Sequence, residues 1–380
     1  MHRYFVFYFV LALCVFCGCS DAPEPSPYYH EFAYITNGGS NSVTVVDLRA
    51  LHVLTTIAVG KSPTGIASNP ARNEIYVANT ESNNISIIDA ETNQVVSSIG
   101  VHRAPYAIDV SPDGKRAYVA NSGSANLSVI DLDHRKVIAT IQVGNGSNLA
   151  KLTPDGKLAV VPLRDEDSVA IVDTEKLALR SKIKTCSKPA AVNIALDSSK
   201  AFVACSGGEE VGVIDLKNDQ LLTLLDVGKT PIDLAVKPDG GEVFVCNFDA
   251  NSVSEIIINS NEVNGSFPIG NHPVRALVSP DNSLLFVSNF GSDSVAIYSI
   301  DDGRRLGSAG VGSHPEAMAL SPSQPLLLVV DTGSNDLAVL ELTDRKEHPQ
   351  RGSPFSLLKT MVTLGNSPRA IVVKAFESRK

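Results

Sequence analysis

The chain of 380 residues has no tryptophan, and aromatic residues make up only 6% of it. It has no run of lysine and arginine, and its net charge is −9. Phosphate contacts need clustered basic side chains, so duplex nucleic acid is excluded as the main partner, and so is an anionic lipid surface. The N-terminal apolar run, with Phe5 to Phe16 its unbroken twelve-residue centre, falls short of the roughly 20 residues that span a bilayer as a helix. No window keeps a helical period, and β-branched residues crowd the apolar runs. Of the six cysteines three, Cys186, Cys205 and Cys246, lie beyond the N-terminal apolar segment, and they show no CxxC pair or metal-ligand spacing, so no zinc site is implied. Gly-x-Ser-x-Gly, the P-loop and His-Glu-x-x-His are all missing. The short glycine pairs Gly144/Gly146 and Gly310/Gly312 lead into strands rather than helices. No cofactor is expected from these features.

What is present is a repeat. Tyr34-Ile-Thr-Asn37 returns as Tyr76-Val-Ala-Asn79, Tyr118-Val-Ala-Asn121, Phe202-Val-Ala-Cys205, Phe244-Val-Cys-Asn247 and Phe286-Val-Ser-Asn289. The two missing phases are filled by Val160-Val-Pro-Leu163 and Leu328-Val-Val-Asp331. Pro63, Pro105, Pro189, Pro231, Pro273 and Pro315 recur in phase, with Ser147 in the one vacancy, and Asp47, Asp89, Asp131, Asp173 and Asp215 each close a strand. One copy reads as four short strands: Tyr106–Val110, a Ser-Pro-Asp-Gly turn, Ala117–Ala120, Leu127–Asp131 and Val137–Val143. Four antiparallel strands at this period make a β-propeller blade. The fold class is therefore all-β, a propeller of eight blades with seven as the alternative. The C-terminal strand Arg369–Val373 is expected to complete the N-terminal blade, which starts near Ala33, and so to close the ring.

The repeated motifs resemble the YVTN-repeat family of bacterial β-propellers over nearly the whole chain, and the lack of tryptophan argues against WD40. The segment Phe16-Cys17-Gly18-Cys19 resembles the lipobox of bacterial lipoproteins. That resemblance implies a signal peptide over 1–18, lipidation at Cys19 and a proline-stiffened tether over 19–31. Ordinary signal cleavage is the alternative. The propeller then occupies 32–375, with a tail at 376–380. The expected location is the cell envelope, in the periplasm or at the surface, with membrane contact through the lipid alone.

Repeated asparagines, glycines and prolines are explained by turn chemistry, so function is sought where blades depart from the pattern on the face bearing the Asn37-type loops. Asp233, His272, Arg275, His314, Glu316 and Arg369 make a polar arc at the channel mouth, suited to a carboxylate, a metal or a small polar ligand. An Asp233–Arg275 charge pair and solvated histidines are the structural alternatives. Asp165, Glu166 and Asp167, with Glu209 and Glu210, are weak metal candidates that read better as a solvated rim. Cys186 and Cys205 lie near one edge of a single blade, where an oxidising compartment would favour a disulfide. Cys246 reads as core.

Two kinds of function follow. The first is a monomeric, non-enzymatic scaffold that binds an envelope protein or polysaccharide; a surface-layer or adhesion role differs from it mainly in location. The second is a periplasmic enzyme or cofactor carrier of the lactonase, quinoprotein-subunit or haem d1 kind, which rests on fold analogy alone.

Overall fold

The computed structural model describes Ser26 and residues 28–343 and 356–378. Eight four-stranded antiparallel sheets form a closed ring. Blade 1 uses Pro368–Glu377 as its inner strand, followed outward by Tyr29–Asn37, Ser42–Asp47 and His52–Ala58. Blades 2 to 8 follow in chain order, with inner strands at Pro63–Ser68, Pro105–Val110, Lys151–Leu152, Pro189–Ile194, Pro231–Val236, Pro273–Val278 and Pro315–Leu320. All but one of these seven start on proline, which cannot donate to a ladder and so suits a first position on an edge strand.

The phase of the repeat places Tyr34, Tyr76, Tyr118, Phe202, Phe244 and Phe286 among the largest fully buried side chains. The apolar interior is not one core but eight, each filling the seam between neighbouring blades. Each blade buries both faces, so its second and third strands read as continuous apolar runs rather than as alternation.

Ring closure runs further than the repeat predicts. The closing pair extends from Asn37↔Pro368 to Tyr29↔Glu377, beyond both the 32 and the 375 boundary expected from the motifs. Phe376 is the reason: it packs edge-on against Phe32, their ring centroids 5.9 Å apart, and it belongs to the seam between blades 1 and 2. At the far end of this pair the Ser378 N–H donates to the Tyr28 carbonyl at 2.9 Å. Signal peptide, Cys19, the tether up to residue 25 and the extra residues 344–355 of blade 8 lie outside the described residues.

A second rule of the repeat is a close approach between a glycine and an asparagine nineteen positions later. A Cβ on Gly60 would lie 2.6 Å from the Asn79 side chain, and one on Gly228 would lie 2.7 Å from Asn247. The asparagine then turns its amide to the third strand: Asn79 Nδ2 donates to Ser86 Oγ at 2.9 Å, and Asn247 Nδ2 donates to Ser254 Oγ at 2.9 Å. In blade 5 the same two places hold Cys186 and Cys205, joined by a disulfide with Cα atoms 5.7 Å apart. The crosslink thus occupies a contact that other blades make without covalent help.

Closing so short a loop stabilises by about 3 kcal/mol in the chain-entropy view. The double substitution Cys186→Ser and Cys205→Ser should cost about that much. Cys186→Gly with Cys205→Asn, which restores the pattern of the other blades, should recover part of the loss. Urea unfolding of the three proteins side by side checks this, and equal midpoints for the two variants would refute the equivalence.

Candidate functional site

The loops after the second strands and the segments leading into the inner strands share one face, called upper here. The residue just before each inner-strand proline adopts a left-handed conformation: Ser62, Ala104, Lys188, Thr230, His272, His314 and Ser367 have φ between 51° and 56°. At six seams its backbone N–H is fixed by a side chain of the preceding blade. Asn41 accepts from Ser62 at 2.9 Å, Asn83 from Ala104 at 2.9 Å and Asp167 from Lys188 at 2.9 Å. Asn251 accepts from His272 at 2.8 Å, Asp293 from His314 at 2.9 Å and Asn335 from Ser367 at 2.7 Å. These clamps set how each blade meets the next.

Two seams lack the clamp, with Ala125 and Glu209 at the accepting positions. Both are braced on the channel side instead. Asp109 of blade 3 accepts from the Leu152 N–H at 2.9 Å, and Asn193 Nδ2 of blade 5 donates to the Leu234 carbonyl at 3.1 Å. Asp233 does the same work between blades 6 and 7. Its Oδ2 accepts from the Ala276 N–H at 3.0 Å, and its Oδ1 takes Arg275 Nη1 at 2.8 Å. Asp233 is buried, whereas Arg275, though ringed by protein, keeps 45% of its side chain open to the channel. Asp233 drives the Arg275 pKa further upward, so the guanidinium stays charged.

The rest of the arc is arranged differently. His272 stacks on Phe248 and His314 on Phe290, each with ring centroids 4.4 Å apart and nearly parallel planes. Each imidazole therefore has one face against its own aromatic partner. The 42-residue step of the histidines is matched by the same step between the two phenylalanines, a signal visible in the sequence but not used there. Glu316 acts on Arg275 through its charge. Neither Glu316 nor Arg369 has a side-chain hydrogen bond or ion pair among the described residues. Of the six predicted groups, only Asp233 and Arg275 are joined directly.

The acidic loops are partly committed to the fold. Glu166 Oε1 accepts from the Asn145 N–H at 2.7 Å and Oε2 pairs with Lys182 at 2.9 Å, which holds its carboxyl below the usual range. Asp167 is the clamp on Lys188, and Glu210 opens the third strand of blade 5. Among the described residues no group of three His, Cys, Asp or Glu side chains is placed to hold a metal ion. Cys246 is a buried free thiol whose pKa burial pushes upward.

Sequence reasoning missed two features. Blade 4 has an inner strand of two residues, Lys151–Leu152, where most blades have six, plus a bridge from Ser147 to Leu163. In blade 3 Ala107 pairs with Ala120; in blade 4 those places hold Leu149 and Pro162, and Pro162 has no N–H to give. A cleft of ≈ 70 Å³ opens beside it, lined by Gly146, Asn148, Leu149, Pro162 and Arg164 of blade 4 and Pro189 and Ala190 of blade 5. Pro162 within a strand was the signal. The second feature is Asp331, which stands in the buried asparagine position of blade 8. It is fully buried, accepts from the Gly312 N–H at 2.9 Å, and its other oxygen has no partner. Burial, then the nearby Asp336, raises its pKa to about 8.

Comparisons with known proteins agree on the fold. A profile of the YNCE-like β-propeller family matches residues 67–156, and one of the seven-bladed lactonase β-propeller family matches residues 259–353. Both profiles describe β-propellers, in agreement with the ring of four-stranded blades. No curated protein matches the sequence. The dihydro-heme d1 dehydrogenase NirN, solved in complex with DHE, is similar over 90% of this chain and 74% of its own, with a TM-score of 0.73 and 12% identity. Hydrazine synthase of Kuenenia stuttgartiensis matches 74% of this chain and 96% of its own at 21% identity and a TM-score of 0.61. A putative 6-phosphogluconolactonase from Bacteroides fragilis matches 93% of this chain and 100% of its own at 15% identity, with a TM-score of 0.62. At these identities the likeness is one of fold.

Asp331 yields a signed pH prediction. Its folded pKa lies above its unfolded value, so the folded chain binds the extra proton and stability falls as pH rises from about 4 to about 8. Asp331→Asn removes this dependence and restores the asparagine of other blades. The variant should gain a few kcal/mol over the native chain at pH 8–9, shrinking toward nothing below pH 4. Thermal unfolding across that range measures it; a gain independent of pH would show that the carboxyl does not titrate as described.

Proposed function

We propose that this chain is an exported propeller anchored at the bacterial envelope through lipid on Cys19, where it serves as a binding scaffold for an envelope protein or polysaccharide. One observation carries the reading: at the channel mouth Glu316 and Arg369 make no side-chain hydrogen bond or ion pair among the described residues, on a wall that clamps and braces hold rigid. Groups of both signs on fixed strands suit recognition, because little ordering entropy is lost when a partner docks. The other charged groups of the arc are engaged by the fold, Asp233 with two donors and each histidine against a phenylalanine. The acidic balance of the chain favours a polar or basic partner surface over nucleic acid.

A second reading, a periplasmic enzyme or cofactor carrier, draws support from the lactonase profile over 259–353 and from the fold shared with NirN. Crosslinking separates the readings, and a substitution tests the anchor. A photo-crosslinking residue in place of Val274, beside Arg275 at the mouth, should trap one discrete envelope partner in the native host, and Glu316→Ala with Arg369→Ala should abolish the adduct. Cys19→Ser should move the protein from the membrane to the soluble fraction. A visible absorption band in the protein from its own host, or hydrolysis of a sugar lactone, with no adduct at Val274, would overturn the scaffold in favour of the second reading.

A further inference from the structure

The geometry points to a second site, apart from the channel mouth and independent of any partner bound there: a carboxylate-binding cleft at the seam of blades 4 and 5. The opening arises from the sequence. Pro162 cannot donate to the inner strand, and pairing there is reduced to Lys151–Leu152 and the Ser147 bridge. The blade 3–4 seam has Ala125 in place of a clamping asparagine, so the segment leading into blade 4 takes its own path through Gly144, with φ of 137°, and Gly146, with φ of 76°. That path leaves a cleft of ≈ 70 Å³, room for a carboxylate group with a short tail.

The walls are chemically specific. Arg164 lines the cleft, is exposed, and its guanidinium has no hydrogen bond or ion pair among the described residues. Asn148 lines it too, and its amide is likewise unused. Between lining residues Gly146 and Asn148, the Ser147 hydroxyl is fully buried without a partner. Leu149, Pro162, Pro189 and Ala190 supply apolar surface. A guanidinium matches the two oxygens of a carboxylate in a fork of parallel hydrogen bonds, and the apolar wall takes a short aliphatic tail. Asp165 follows Arg164 directly, while Glu166 is already paired with Lys182, so a doubly charged anion such as phosphate meets repulsion from Asp165 that a monocarboxylate meets less. The fitting ligand is a singly charged carboxylate, either a small free acid or the carboxyl end of a peptide.

Isothermal titration of the purified protein with sodium propionate, with trialanine, with trialanine amide and with inorganic phosphate tests the site. Saturable binding of propionate or trialanine is expected, lost for the amide and absent for phosphate. Arg164→Gln should weaken it roughly tenfold or more, the worth of a hydrogen bond to a charged group, and Asn148→Ala severalfold. Arg164 is exposed and Asn148 half-buried, and the far-ultraviolet spectrum checks that the variants fold. Tighter binding of trialanine than of propionate would assign the carboxyl to a chain end, and the reverse to a free acid. No saturable binding of either, binding unchanged by Arg164→Gln, or a preference for phosphate would overturn the inference.

Discussion

A closed ring demands that every seam turn the chain by the same amount, and here that demand falls on one recurrent hydrogen bond. The backbone N–H just before an inner strand is left-handed and would be stranded at the rim; an asparagine or aspartate from the preceding blade accepts it. The bond joins chain segments 21 residues apart at five of the seams, so the 42-residue period and the angular spacing are two expressions of one geometry. Where the acceptor is missing, at Ala125 and Glu209, a side chain on the channel wall bridges the same two blades. The apolar seams supply the burial that makes the ring stable, while these polar bonds fix where each blade stands.

That division explains why so many conspicuous polar residues are not free for chemistry. Asp233 looks like a channel ligand and works as a brace. Asp167 looks like part of an acidic cluster and is a clamp. Glu166 holds the backbone of Asn145, a place taken by the Ser82 and Ser124 hydroxyls for Lys61 and Arg103 in other blades. Among the described residues, Glu316 and Arg369 at the mouth, and Arg164 with Asn148 beside the broken inner strand of blade 4, make no side-chain hydrogen bond or ion pair.

The fold was legible because burial repeats. An aromatic every 42 residues in the second strand and a proline at the start of most inner strands set strand number, order and phase, and even the disulfide position follows from two cysteines standing where glycine and asparagine meet. Legibility failed where a residue acts through what it lacks or through a partner far away in sequence. Pro162 was counted as a strand residue in phase, yet its missing N–H removes a ladder bond. The phase of the repeat puts His272 and His314 in one polar arc, whereas their rings are set by Phe248 and Phe290. The 344–355 insertion hid the length of the closing strand, because the last proline falls 53 rather than 42 positions after its predecessor.

The closing pair of strands has a directional consequence. Asn37 and Pro368 meet on the upper face, so Tyr28 and Ser378 meet on the lower one, and the polypeptide both enters and leaves the ring there. The ring is therefore a polar object with a back and a front. Anything attached through the N-terminus pulls on the back and presents Glu316, Arg369 and Arg164 outward. Two domains fused at opposite termini would sit side by side behind the ring rather than across it. With Tyr28 and Ser378 a hydrogen bond apart, the ring could be cut at a loop and rejoined at these two residues with the front unchanged.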